Sequence, residues 1–129
     1  ACEIAARDLD ATGARVRALR DELWDRLAAA VPGLALNGHR EHRLPNTLNV
    51  RFPRTTGTAV LAGAPEIAAS TGSACHDGVE RASAVILAMG IAPRDAGGAV
   101  RLSLGRSTRA EHVARAADAL ARAWRRAAG

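Results

Sequence analysis

Apolar residues recur at steps of three and four from Leu9 through Val16, Leu19, Leu23 and Leu27, with Ile4 and several alanines filling in. That spacing predicts a long amphipathic helix over 3–30. Gly13 is a weak point in it, and Pro32 and Gly33 end it. Residues 34–37 (LALN) predict a short strand, Asn37-Gly38 a turn, and HREHR at 39–43 a polar loop. LPNTLNVRFP at 44–53 alternates around Leu48, Val50 and Phe52, the mark of a strand with one buried face, closed by Pro53. A short helix over 57–64 stops at Pro65, and EIAAS at 66–70 reads as a short buried strand. Residues 83–89 form a short helix with Ser83 as its N-cap and Gly90 just past its end. VRLSL at 100–104 alternates again as a strand. The final helix opens on a capping box from Thr108 to Glu111. One of its faces carries Ala110, Val113, Ala114, Ala117, Leu120, Ala121 and Trp124, and the other carries Arg115, Asp118, Arg122 and Arg125. The order is helix, two strands, helix, strand, helix, strand, helix. This is an α+β pattern with helices packed on a small sheet.

Composition narrows the picture. A chain of 129 residues suits one domain, 1–129, with one core. Aromatic residues are scarce, two Trp and one Phe, so Ala, Leu, Val and Ile must build that core. All 18 basic residues are arginine, none is lysine, and the net charge is +5. No apolar run approaches the length of a membrane span. The opening ACEIAARDLD has no initiating Met and no apolar stretch behind a basic end, and it looks like the middle of a helix. The expectation is a cytoplasmic protein, cut from a longer chain. Two cysteines far apart, Cys2 and Cys75, make no disulfide framework and fit a reducing compartment. A basic surface is one signature of nucleic-acid binding, but no stacking aromatics or reading motif accompany it, so a nucleic-acid partner is not expected.

The candidate chemistry begins at ASTGSACHDG, residues 69–78. Most free cysteines are small buried hydrophobes. Cys75 stands instead among Gly72, Ser73, Ala74 and the turn-forming His76, Asp77 and Gly78. A thiol exposed on such a loop oxidises unless it is used, which makes Cys75 a candidate reactive group. His76 could act on it or simply be solvated. Cys75, His76, His39 and His42 match no usual zinc spacing, so no metal is assigned. Arg101, between Val100 and Leu102, either points outward as a surface residue or turns its fork toward a carboxylate.

Three stretches in order, LPNTLNVRF (44–52), ASTGSACH (69–76) and VRLSLGRST (100–108), resemble the C-terminal part of cysteine desulfurases of the NifS/IscS type. These are class V enzymes of pyridoxal phosphate (PLP). The resemblance covers almost the whole chain and implies the small C-terminal domain of a fold type I PLP-dependent transferase. It implies that Cys75 is the nucleophile that takes sulfur from L-cysteine as a persulfide, leaving alanine. Gly72, Ser73, His76 and Gly78 would flank it as the loop hinge, and Arg101 would hold the substrate α-carboxylate. A sulfur-acceptor protein serving iron–sulfur cluster or thio-cofactor synthesis, and a homodimer formed through the larger domain, are implied as partners. The His-His-Cys loop of another branch is absent, whereas selenocysteine lyases are similar in both the loop and the last strand. Ala82 stands where many relatives have Pro, and Pro65 interrupts a stretch that is often helical. PLP enzymes hold their cofactor on a lysine. This chain has none, so the resemblance places the PLP-binding N-terminal domain outside it and implies that the chain alone is inactive. A PLP-free sulfur carrier or RNA-binding module is the alternative from another class.

Overall fold

The structure is a computed structural model that describes residues 2–72 and 83–129. Cys75, Ser73, His76 and Gly78 therefore lie outside the described residues.

Helix α1 (Cys2–Ala30) opens the chain. Strand β1 (Ala35–Leu36) follows the Pro32-Gly33 break, where Gly33 takes a φ of 84° that suits glycine. Strand β2 spans Thr47–Arg51, helix α2 Gly57–Ala62, helix α3 Ala84–Ala88 and helix α4 Pro93–Ala96. Strand β3 (Ala99–Ser103) and helix α5 (Ala110–Ala128) complete the described elements. The strands form an antiparallel sheet in the order β1-β2-β3. Leu36 faces Val50, Val50 faces Val100, and Leu48 faces Leu102.

Because side chains alternate along a strand, this register puts Leu48, Val50, Val100 and Leu102 on one face. All four are buried, together with Leu23 and Leu27 of α1 and Val113, Leu120 and Trp124 of α5. Each fully buried Leu or Val contributes roughly 1.5–3 kcal/mol, so this layer is the main source of stability. Trp124 also donates its indole N–H to the Pro53 carbonyl at 3.0 Å, which ties the C-terminal helix to the end of β2.

Several expectations change. Leu9 is 66% exposed, so the buried face of α1 begins at Val16. Residues 44–46 are not strand, because Thr47 N–H turns back to the Leu44 carbonyl. Residues 66–69 are not strand either. Ile67 N–H bonds the Ala64 carbonyl in a turn, and only Ser70 reaches the sheet. Ser83 sits at the N-cap of α3 without a side-chain cap bond. The cap of α5 is Arg109, not Thr108. The Thr108 hydroxyl already accepts Gly105 N–H at 2.9 Å, and His112 Nδ1 takes Arg109 N–H at 3.3 Å. Helix α4, with Pro93 in its first turn, was not expected. Gly90, with φ of 81°, does end the turn after α3.

Two close approaches fix β3 against its neighbours. A side chain on Gly98 would strike the carbonyl of Phe52, the residue whose N–H donates to the Gly98 carbonyl at 2.9 Å. A side chain on Gly57 would strike the Ala99 carbonyl and crowd Thr71. Gly57 thus packs at the junction between the start of β3 and the segment that follows Ser70.

Candidate functional site

The other face of the sheet is polar, and its residues line up. Arg101 on β3 lies opposite Asn49 on β2. The β1–β2 register, continued by Asn37 N–H donating to the Asn49 carbonyl at 2.9 Å, places Asn37 opposite Asn49. On the far edge of β3, Ser70 pairs with Arg101. The row across the sheet is therefore Ser70, Arg101, Asn49, Asn37.

Backbone bonding sets how close these side chains come. Ser70 N–H donates to the Arg101 carbonyl at 3.2 Å, and Arg101 N–H donates to the Ser70 carbonyl at 2.7 Å. Both main-chain groups of Arg101 are thus turned toward Ser70. Toward Asn49 it forms the non-hydrogen-bonded kind of pair, in which opposing side chains approach most closely. Ser70 also begins a turn: its Oγ donates to the Gly72 carbonyl at 2.7 Å and accepts Gly72 N–H at 3.3 Å. Ser70, the residue that clasps Arg101, thus leads into this turn five positions before Cys75 in the sequence. Gly72 belongs to that turn.

The Arg101 side chain is exposed and makes no hydrogen bond or ion pair with a described residue. Its place on the exposed face of the sheet agrees with a surface arginine and equally with one open to a carboxylate. The outward face is also the polar face with the Asn pair. Asn37 is buried, and its Nδ2 donates to Asn49 Oδ1 at 2.8 Å. Arg51 in turn donates to Asn37 Oδ1. Sequence reasoning missed this cluster because it took Asn37-Gly38 only as a turn. The signal was there in the alternation of β2, which sets Thr47, Asn49 and Arg51 on one face.

A second arginine cluster was also missed. Arg20 is 3% exposed, because it stands four positions after Val16 and three before Leu23, on the buried face of α1. It donates to Asp21 and to the Leu44 carbonyl at 2.7 Å, and Arg43 joins Asp21 at 3.2 Å. Burial, with Arg20 as a neighbouring cation, pulls the Arg43 guanidinium below its ordinary value. His39 and His42 stack with ring centroids 4.5 Å apart, and His39 Nδ1 accepts the N–H groups of Glu41 and His42. That nitrogen closes a turn. A groove of about 500 Å³ runs past Arg51, Arg54 and Arg94 but does not reach Arg101.

No family model matches the chain. Curated relatives do. The chain is 43% identical over 125 residues to a cysteine desulfurase of Frankia sp. (strain EuIK1), covering 95% of this chain and 30% of that protein. It is 38% identical over 113 residues to the cysteine desulfurase IscS of Anaeromyxobacter sp. (strain K), covering 88% and 28%. This chain is a homologue of the small C-terminal part of the cysteine desulfurases. It spans about 30% of the length of the curated relatives it matches. Among solved structures, a NifS-like protein from Rickettsia africae ESF-5 superposes with a TM-score of 0.80 at 21% identity, over 95% of this chain and 31% of that one. A second NifS-like protein gives 0.78 at 28% identity, over 93% and 30%. The α+β fold expected for the C-terminal domain of NifS-like enzymes is the fold observed. Among the described residues no helix is long and apolar enough to cross a membrane.

Proposed function

We propose that this chain, 1–129, is the thiol-bearing small domain of a PLP-dependent cysteine desulfurase. The observation that carries the proposal is the Ser70–Arg101 clasp: in a chain 43% identical to a cysteine desulfurase, it joins the root of the TGSAC stretch to an arginine with no other partner among the described residues. Arg101 receives the α-carboxylate of L-cysteine, for which the planar fork of a guanidinium is suited. Cys75 is the nucleophile. It lies five positions beyond Ser70, a tether of at most about 18 Å. Its thiolate attacks the substrate sulfur, and an S–S bond forms as the carbon–sulfur bond breaks. The electron pair of the broken bond goes to the substrate β-carbon, which takes up a proton and leaves as alanine. The persulfide sulfur then passes to an acceptor protein for iron–sulfur cluster or thio-cofactor synthesis. Gly72, Ser73, His76 and Gly78 give the segment its turning points.

The residues of this chain do not fit a covalent PLP site, since it contains no lysine. The cofactor, and with it dimer formation, belongs in this proposal to the rest of a cytoplasmic enzyme. The isolated chain is accordingly expected to be inactive.

The test uses the full-length enzyme loaded with PLP, with L-cysteine and L-selenocysteine as substrates. With a dithiol present to reduce the persulfide, sulfide release that Cys75→Ala abolishes is the expected result. Release of selenide alone would make the enzyme a selenocysteine lyase. Release of neither would leave the fold without the reaction.

A further inference from the structure

Hydrogen-bond donors order the polar row in one direction. A guanidinium has only N–H donors and no acceptor. Where Arg51 meets Asn37, the amide atom of Asn37 must therefore be its oxygen. The other end of that amide is then its NH₂, and the atom it meets on Asn49 must be oxygen as well. Asn49 is left with its own NH₂ group, which has no partner among the described residues and is not sealed from solvent. That group stands on the strand position directly opposite Arg101, in the closely approaching kind of pair.

We infer that the Asn49 amide is a second ligand for the carboxylate that Arg101 holds, kept donor-outward by Asn37 and Arg51. The inference rests on the proposed function and adds to it a residue for substrate positioning. Two donors side by side with no acceptor between them are complementary to an anion and to little else. Neutral groups that offer both a donor and an acceptor, such as a primary amide, would leave an N–H facing an N–H. The pair therefore selects substrates that carry a free carboxylate.

The experiment measures dissociation constants of L-alanine and L-alaninamide by calorimetry on the full-length, PLP-loaded enzyme. Asn49→Ala is expected to weaken L-alanine about tenfold, the size of one hydrogen bond to a charged group, and to change L-alaninamide less than about twofold. Asn49→Asp should weaken L-alanine further, because a carboxylate would then occupy the Arg101 fork. Arg51→Gln, which can accept as well as donate, should give an intermediate loss with the same selectivity. Asn49→Ser replaces Asn49→Ala if that variant does not fold. L-alanine affinity within twofold of wild type in Asn49→Ala, or equal losses for both ligands, would overturn the inference. Arg101→Ala separates the two levels. If it too leaves L-alanine binding unchanged, the proposed function fails with it. If it weakens binding while Asn49→Ala does not, only the role of Asn49 is lost.

Discussion

Arg20 and Arg101 are both single arginines on regular elements with apolar residues close by in sequence, yet they end in opposite states. Arg20 is 3% exposed and has engaged its donors: Nε and one terminal nitrogen lie 2.9 and 2.8 Å from Asp21, and the other lies 2.7 Å from the Leu44 carbonyl. Arg101 is exposed and has engaged none with a described residue. A buried charge must be satisfied within the fold, because losing water is costly. An exposed charge keeps its donors for whatever arrives. The first arginine holds α1 to the segment before β2, and the second has no partner among the described residues.

Removing each arginine sharpens the contrast. Arg20→Ala should lower the stability of the chain by about 2 kcal/mol, since it strips a carboxylate and a carbonyl of charge-assisted partners. Arg101→Ala should change it by less than about 0.5 kcal/mol. Urea unfolding of the two variants side by side measures both, and equal losses would erase the distinction between the two arginines.

Gly57→Ala is comparable in size. The new methyl group meets the Ala99 carbonyl and Thr71, which should cost about 1–3 kcal/mol. The disturbance falls on both sides of the Ser70–Arg101 clasp. Amide hydrogen exchange should therefore quicken at Ser70 and Arg101 more than at Leu48 or Val50. Uniform quickening along the sheet would show that the clasp is not a separate unit.

The smallest effect belongs to a third arginine, exposed but engaged. Arg109 lies 2.7 Å from Glu111, and this hydrogen-bonded partner holds the Glu111 carboxyl below its ordinary value of 4.5. A carboxyl lowered by folding stabilises the folded state above its unfolded value. That contribution fades as pH falls through the lower, folded value. Glu111→Gln should therefore matter slightly at neutral pH and not at all in strong acid. A side-chain titration by NMR with its midpoint at or above 4.5 would remove the effect.

How these regions could be foreseen follows from the range of their interactions. The alternation of Leu48, Val50 and Phe52, and the stripe from Val113 to Trp124 on α5, are local patterns, and both mark core. The failures are places where a distant partner decides. EIAAS has the composition of a strand, but Pro65 and the turn at Ala64–Ile67 leave only Ser70 to pair. Thr108 has the chemistry of a cap, but Gly105 N–H takes its hydroxyl first. The carbonyl that satisfies Arg20 is 24 positions away, and the Asn37–Asn49 bond spans a separation of 12. Of the candidate-site residues named from the sequence, Arg101 and Gly72 are among those described. The polar row that gives Arg101 its neighbours emerges only when the strands are paired.

That row also bears on disorder. A carboxamide has two settings that differ by half a turn and are nearly equal in shape, so an Asn pair on its own would be an orientational mixture. Arg51 breaks the symmetry from one end, because it can only give protons and never take them. The choice of setting is thus made when the chain folds. A ligand meeting Asn49 finds a surface that has already lost this freedom, so its own binding need not supply the ordering.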